Sequence, residues 1–237
     1  MPSALRTNPP DTVPDRGSRT QRARAGVLDS IRQAAIDEFS VHGFNGTSTQ
    51  SIANRAGLTK PQLHYYIAGK EELYEEVLHS VLNDRIMSLA LDNSDPRAEL
   101  SSYIRRKLDY ALDNPAQSRI FTNEIISGGR FLSKYLPRAV ESAQRNVDVI
   151  NEWIAKGLLR PLDGRMLLMH IWAMTQQYAD YSMRTRAILG LKANAPIDRE
   201  RVAHEITSLV LEGCAPSGKG ESAKPKIGSS RRKRGAE

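Results

Sequence analysis

The chain has 237 residues, of which 40% are hydrophobic and 26% charged, with a formal net charge of +7. That length buries a sizeable core and suits one small and one larger unit. No apolar run approaches the roughly 18 to 20 residues of a membrane span, and the opening MPSALRTNPPDTVPDR lacks the apolar core of a secretory signal, so a cytoplasmic protein without a membrane role is expected.

In chain order, residues 1–25 carry five arginines and two aspartates, with prolines at 2, 9, 10 and 14. They read as a disordered basic arm of charge +3. Residues 216–237 carry seven basic groups and two glutamates in a Gly/Ser/Lys/Pro mixture, a disordered basic tail of charge +5. Its SSRRKRG cluster suits nucleic acid, an acidic membrane face or plain solubility. The body between the tails is left with −1, so the basicity belongs to the ends.

Apolar residues in the body recur at three and four, without period-two alternation, which predicts an all-α fold of about nine helices. Leu28, Ile31, Ala35 and Phe39 form one stripe, ended at Gly43. Ser48 caps a short second helix, Gly57 supplies a left-handed turn, and Thr59 caps a third helix with Pro61 in its first turn. A fourth helix starts at Gly69 and runs over 70–91, with the carboxylates of KEE near its positive end. Helices over 95–113, 115–127, 137–156, 163–189 and 198–212 follow, each break marked by Pro or Gly. The predicted units are 26–75 and 76–215.

A short helix, a glycine turn and a second short helix make the helix-turn-helix pattern, whose second helix enters the major groove by its amino end. Thr59, Lys60, Pro61, Gln62, His64, Tyr65 and Tyr66 then form the reading edge. Lysine addresses guanine, glutamine pairs bidentately with adenine, and tyrosine meets a thymine methyl, sugar or phosphate. Thr49 and Lys70 are placed to clamp phosphates. The plainer alternative is a small helical hairpin with wetted polar groups. Residues 26–75 carry Arg32, Arg55, Lys60 and Lys70 against six acidic groups, so the arginine-bearing arm is expected to supply much of the affinity, along the minor groove or the backbone.

The run AAIDEFSVHGFNGTSTQSIANRAGLTKPQLHYYIAGKEELY resembles the amino-terminal domain of Tet-repressor family transcription regulators. It carries their F-x-x-x-G-F-x-x-T, IA-x-x-AG-[VL]-[TS] and Y-Y-[FVI]-x-x-KE-x-L signatures in order. The resemblance implies operator contacts from Thr49, Lys60, Pro61, Gln62, His64, Tyr65, Tyr66 and Lys70. Ile67 stands where that family more often has phenylalanine, and Gly69 where it has a capping serine or asparagine.

In the larger unit, Leu167, Ile171, Met174, Tyr178 and Tyr181, with Val202, Ile206, Leu209 and Val210, form two late apolar stripes. They suit either a four-helix contact between two copies or packing within one chain. A homodimer places two recognition helices roughly 34 to 36 Å apart, implying a near-palindromic site on double-stranded DNA. Trp172, Gln176 and Asp180 step by four and share a face, suited to a small planar effector such as a nucleobase, with Tyr110 and Asn123 expected to close the site. Polar groups that merely satisfy one another are the alternative. The segments Y-I-R-R-K-L-D-Y and I-W-A-x-T-Q-x-Y-A-D resemble the pyrimidine-utilisation branch of the same family, which senses uracil and thymine. That resemblance implies ligand contacts at Trp172 and Gln176; a different planar metabolite stays open.

Catalysis is not expected. The five histidines, at 42, 64, 79, 170 and 204, are scattered, Cys214 is the one cysteine, and no phosphate loop or nucleophile elbow occurs. Neither metal nor cofactor is expected, and a helical adaptor for a protein partner is the rival reading.

Overall fold

A computed structural model describes residues 16–85, 89 and 95–216. Among them the chain forms ten helices and no strand: α1 Arg16–Gly46, α2 Thr49–Arg55, α3 Lys60–Tyr66, α4 Lys70–Arg85, α5 Pro96–Asp113, α6 Pro115–Ile126, α7 Leu136–Ala155, α8 Gly164–Asp180, α9 Ser182–Ile188 and α10 Arg199–Cys214. None is long and apolar enough to cross a membrane. The expected arm up to residue 15, the tail from 217, and most of 86–91 lie outside the described residues.

Three local expectations differ from what forms. Helix α1 starts at Arg16, so residues 16–25, assigned above to the arm, are helical. Once a helix is nucleated downstream, the run Gln21-Arg22-Ala23-Arg24-Ala25 adds one bond per residue at little cost, and the helix extends from it through Thr20, Ser18 and Gly17. Leu28 is exposed, and half-buried Val27, one turn before Ile31, takes its place against the core. The single helix expected over 163–189 bends at Tyr181 into α8 and α9. No Pro or Gly marks the bend; it follows Asp180, whose carboxylate is held by Ser118 and Thr122 of α6.

The sequence signals at the head act as expected. Gly43, at φ 63°, kinks α1 near its end, and Gly57, at φ 70°, makes the left-handed turn between α2 and α3. Ser48 caps α2 through the Ser51 N–H, and Thr59 caps α3 through the Gln62 N–H. Each cap satisfies amide hydrogens that a helix start otherwise leaves unpaired.

Two hydrophobic cores result. One joins α5, α7, α8 and α10 around Tyr103, Leu108, Ile150, Trp153 and Ile171. The other holds α1 to α4 together around Ile31, Phe39, Ile52, Leu63 and Leu78. The second core crosses the expected boundary at residue 75, because Ile120 of α6 and Phe131 and Leu132 of the α6–α7 loop insert into it. Phe131 lies 4.8 Å from the ring of Phe44 and 5.1 Å from that of Tyr74. The leucines and isoleucines expected to pair two copies, Leu167, Ile171 and Ile206 among them, are buried inside one chain; Leu209 is exposed.

Candidate DNA-reading edge and effector cavity

Helix α3 has one buried residue, Leu63, which pins it to the head. Lys60, Pro61, Gln62, His64 and Tyr65 are exposed around it, Tyr65 at 76%. Large exposed aromatic surface beside free donors is unusual on a solitary helix and suits a contact surface. Tyr66 is half-buried against the head core, its ring edge-to-face with Tyr65 at 5.1 Å.

Three of the expected contact residues carry structural duties. The Gln62 carboxamide oxygen accepts from the Thr59 N–H at 2.8 Å and from the Thr59 hydroxyl at 3.0 Å. In this state Gln62 presents its amide hydrogens outward, so the bidentate adenine pairing requires the cap to open. Thr59 is correspondingly engaged as the cap. Lys70 does not project outward as a phosphate clamp: its ammonium donates to the carbonyls of Phe44 and Thr47, both at 2.9 Å, and sits 4.2 Å above the Phe44 ring. It thereby closes the C-terminal end of α1, where orphan carbonyls favour a cation. Thr49 opens α2 and is half-buried.

The acidic excess of the head is largely compensated internally. Arg55 bridges Glu38 at 2.7 Å and Asp37 at 3.6 Å, and its guanidinium bond holds the Glu38 carboxyl below the usual range. Glu71 pairs with Arg130, and Glu75 with Lys134, both partners in the α6–α7 loop. The reading edge itself carries no carboxylate.

In the larger unit a cavity of about 310 Å³ opens between α5, α6, α7 and α8, with Leu82 of α4 in its wall. This is the lower end of the size range of small-molecule sites. Tyr110, Trp172 and Gln176 line it, as expected. So do Tyr103, Lys107 and Asn146, which are not among the expected site residues. The spacing of Tyr103, Lys107 and Tyr110, four and three apart on α5, was the available signal. The Trp172 indole N–H donates to the Tyr103 hydroxyl at 2.8 Å. Burial pushes that hydroxyl up to about 12, so it is protonated at neutral pH. The Lys107 ammonium lies 5.5 Å from the Tyr103 ring centre and 5.9 Å from that of Trp172.

Asn123 and Asp180 are not in the cavity wall. Asn123 is exposed, because Ser118 and Thr122, four apart, are the α6 residues that face α8. Asp180 stands behind Gln176: its carboxylate accepts from Ser118 at 2.8 Å, Thr122 at 2.7 Å and Gln176 at 2.9 Å. Thr122, outside the expected site residues, also accepts from the Gln176 amide at 2.7 Å.

One helix touches both sites. While Thr122 of α6 meets Gln176, the buried Glu124 two residues on accepts from the Tyr74 hydroxyl of α4 at 3.1 Å and from the Phe131 N–H at 2.7 Å. Asn146, in the cavity wall, accepts from the Leu89 N–H at 2.9 Å, just beyond α4.

Comparison with known proteins identifies the lineage. Residues 31–77 match the family model described as bacterial regulatory proteins, tetR family, and residues 75–217 match that of the YcdC-like protein, C-terminal region. The chain is 33% identical over 201 residues to the HTH-type transcriptional regulator RutR of Escherichia coli (strain K12), covering 84% of this chain and 95% of that protein. The fold is shared with the ketosteroid transcriptional regulator KstR2 of Mycobacterium tuberculosis, at TM-score 0.66 and 21% identity over 82% of this chain and 96% of that one. It is shared also with AibR in complex with isovaleryl coenzyme A and operator DNA, at TM-score 0.59 and 16% identity over 77% and 97% of the two chains. With both family models matched in succession and a full-length relative one third identical, the chain belongs to the tetR family and is a DNA-binding transcriptional regulator.

Proposed function

We propose that this chain is a homodimeric repressor that reads a near-palindromic operator with Lys60, Gln62, His64 and Tyr65 and releases or tightens its grip when a small planar molecule, of pyrimidine type, enters the cavity. The observation that carries the reading is Trp172 beside Gln176 in a walled cavity whose neighbour α6 also grips the reading head. A flat ring gives contact area and an amide gives orientation, which is what a small heteroaromatic guest requires. Met166 and Met169 of α8 and Leu209 of α10 are exposed apolar groups on adjacent helices and supply the contact between two copies. The basic start of α1, with Arg22 and Arg24 exposed, and the arm before it add phosphate contacts.

The effector acts by favouring one seat of α6 between cavity and head. Moving Thr122 relative to Gln176 shifts Glu124, and with it Tyr74 and Phe131, so the tilt of α4 and the spacing of the two α3 helices change. Each tenfold change in operator affinity requires about 1.4 kcal/mol of differential effector binding.

Operator binding by the full chain, followed by fluorescence anisotropy with and without uracil or thymine, tests this reading. The expected result is a shift in operator affinity of at least about tenfold that vanishes in Trp172→Ala, and a steep loss of random-duplex binding with salt. Operator affinity indifferent to every planar amide removes the effector half of the proposal; salt-insensitive binding removes the DNA half.

A further inference from the structure

We infer that the cap of α3 fixes the reading polarity of Gln62, so that its side chain presents only N–H donors to the major groove and selects guanine in place of adenine. The inference rests on α3 reading base edges. A glutamine carboxamide carries one acceptor oxygen and an NH2 group, and an unconstrained one matches the acceptor and donor that adenine shows at N7 and N6. At Gln62 the oxygen is already engaged. It accepts the Thr59 N–H at 2.8 Å and the Thr59 hydroxyl at 3.0 Å, which occupies both of its lone pairs. The hydroxyl is oriented by the same exchange, since it accepts from the Gln62 backbone N–H at 3.4 Å and gives its single hydrogen to the carboxamide. A reversed carboxamide would set its hydrogens against the Thr59 N–H, a backbone donor with nothing to accept them.

DNA therefore meets the amide nitrogen Nε2. Gln62 is exposed in the first turn of α3, the part of a recognition helix that reaches base edges, and that turn holds no acidic side chain to take the hydrogens back. In the major groove guanine offers two neighbouring acceptors, N7 and O6, and thymine offers O4; adenine sets an N6 donor beside its N7, and cytosine offers a donor alone. Two outward hydrogens fit guanine at both points and thymine at one, and they oppose donor to donor at adenine N6 and cytosine N4. Opening the cap to suit adenine would strip the Thr59 N–H of its partner in a contact from which water is expelled. Guanine is read with the cap closed. Thr59 thus serves as a positioning residue, acting on the base through Gln62.

The test starts from duplexes that the full chain enriches out of a randomised library. The base pair read by Gln62 is the one whose preference Gln62→Ala erases, and affinities are then measured by fluorescence anisotropy on duplexes differing only there. The wild-type protein is expected to bind the duplex with guanine at that pair, on whichever strand binds better, roughly fivefold to hundredfold more tightly than the one with adenine. A 7-deazaguanine duplex, which lacks the N7 acceptor, is expected to fall between them. Gln62→Glu keeps both bonds from Thr59, because a carboxylate oxygen accepts as the carboxamide oxygen does, but has no hydrogen to give. Its thermal midpoint should match the wild type while its guanine-to-adenine ratio falls to one or below. A Gln62 that serves only as a cap would leave that ratio unchanged in Gln62→Glu, which overturns the inference. A wild-type preference for adenine at that pair also overturns it, by showing that the cap opens on DNA, and leaves the operator reading standing. The same holds if Gln62→Ala erases no preference. Enrichment of no sequence at all removes the operator reading and this inference together. Should Gln62→Ala not fold, as thermal unfolding would reveal, Gln62→Glu locates the base pair in its place.

Discussion

In the reading head the caps that fix α2 and α3 join residues three apart, Ser48 with Ser51 and Thr59 with Gln62, whereas in the cavity Trp172 reaches Tyr103 across 69 positions and Gln176 reaches Thr122 across 54. The head is thus assembled from short-range instructions and the cavity from long-range ones. Its polar side chains consequently divide their work differently. On α3, one set of residues both caps the helix and faces outward, so structure and recognition compete for the same atoms. Around the cavity the work is layered, with Trp172, Gln176 and Tyr103 in the wall, Tyr103 holding the indole, and Thr122 and Asp180 holding Gln176 from behind. The two regions meet at α6, where a single buried carboxylate, Glu124, serves the head.

Removing that junction gives the largest effect. Glu124→Ala should cost about 3 kcal/mol in urea unfolding, since it leaves the Tyr74 hydroxyl and the Phe131 N–H buried without a carboxylate. A loss below about 1 kcal/mol would mean the two regions are joined by apolar packing alone. Lys60→Ala should next cost roughly 1 to 3 kcal/mol in operator binding while sparing random duplex, by gel shift on both. Equal losses would make Lys60 a phosphate contact. Lys70→Met sharpens the contrast from the other side. It should lower stability by about 1 to 2 kcal/mol through two lost carbonyl bonds and leave operator choice intact.

Smaller still, Thr59→Ala should destabilise by about 1 kcal/mol as a lost cap and change operator preference only through fraying of α3. The smallest effect is acid sensitivity. Arginine bonds hold the carboxyls of Glu38, Asp113 and Glu200 below their ordinary values. A depressed folded value contributes stability above the unfolded one and loses it as pH falls through the folded one. The thermal midpoint should therefore begin to fall as pH drops below the ordinary carboxylate range, near 4.5 for glutamate, and Arg55→Met should remove the part due to Glu38. A midpoint flat through that range would show that these pairs contribute nothing measurable.

The same contrast explains which residues could be read from the chain. Ser48, Gly57, Thr59 and Pro61 act through bonds and dihedrals within one turn, so their types announce their roles. Trp172, Gln176 and Tyr110 were legible because helical spacing gathers them on faces that happen to turn inward. Asn123 and Asp180 shared the same chemistry, yet one faces outward and the other stands behind Gln176. Side-chain type says what a residue can bond, and periodicity says which neighbours share its face; neither fixes how far α6 is rotated against α8. Lys70 was misplaced for a related reason, because its partners, Phe44 and Thr47, offer backbone carbonyls that any sequence provides.

By itself, then, the order of residues determined the helical body, the turns and caps of the head, and the lineage, all of which depend on interactions within a few positions or on motifs read in a row. Only the folded packing decided where α8 bends, which polar groups line the cavity, which way the Gln176 amide faces, and that the head core borrows Phe131 and Leu132 from beyond α6. Those outcomes arise when helices far apart in the chain settle into one packing, and a buried donor must then find whichever acceptor that packing brings within 3 Å.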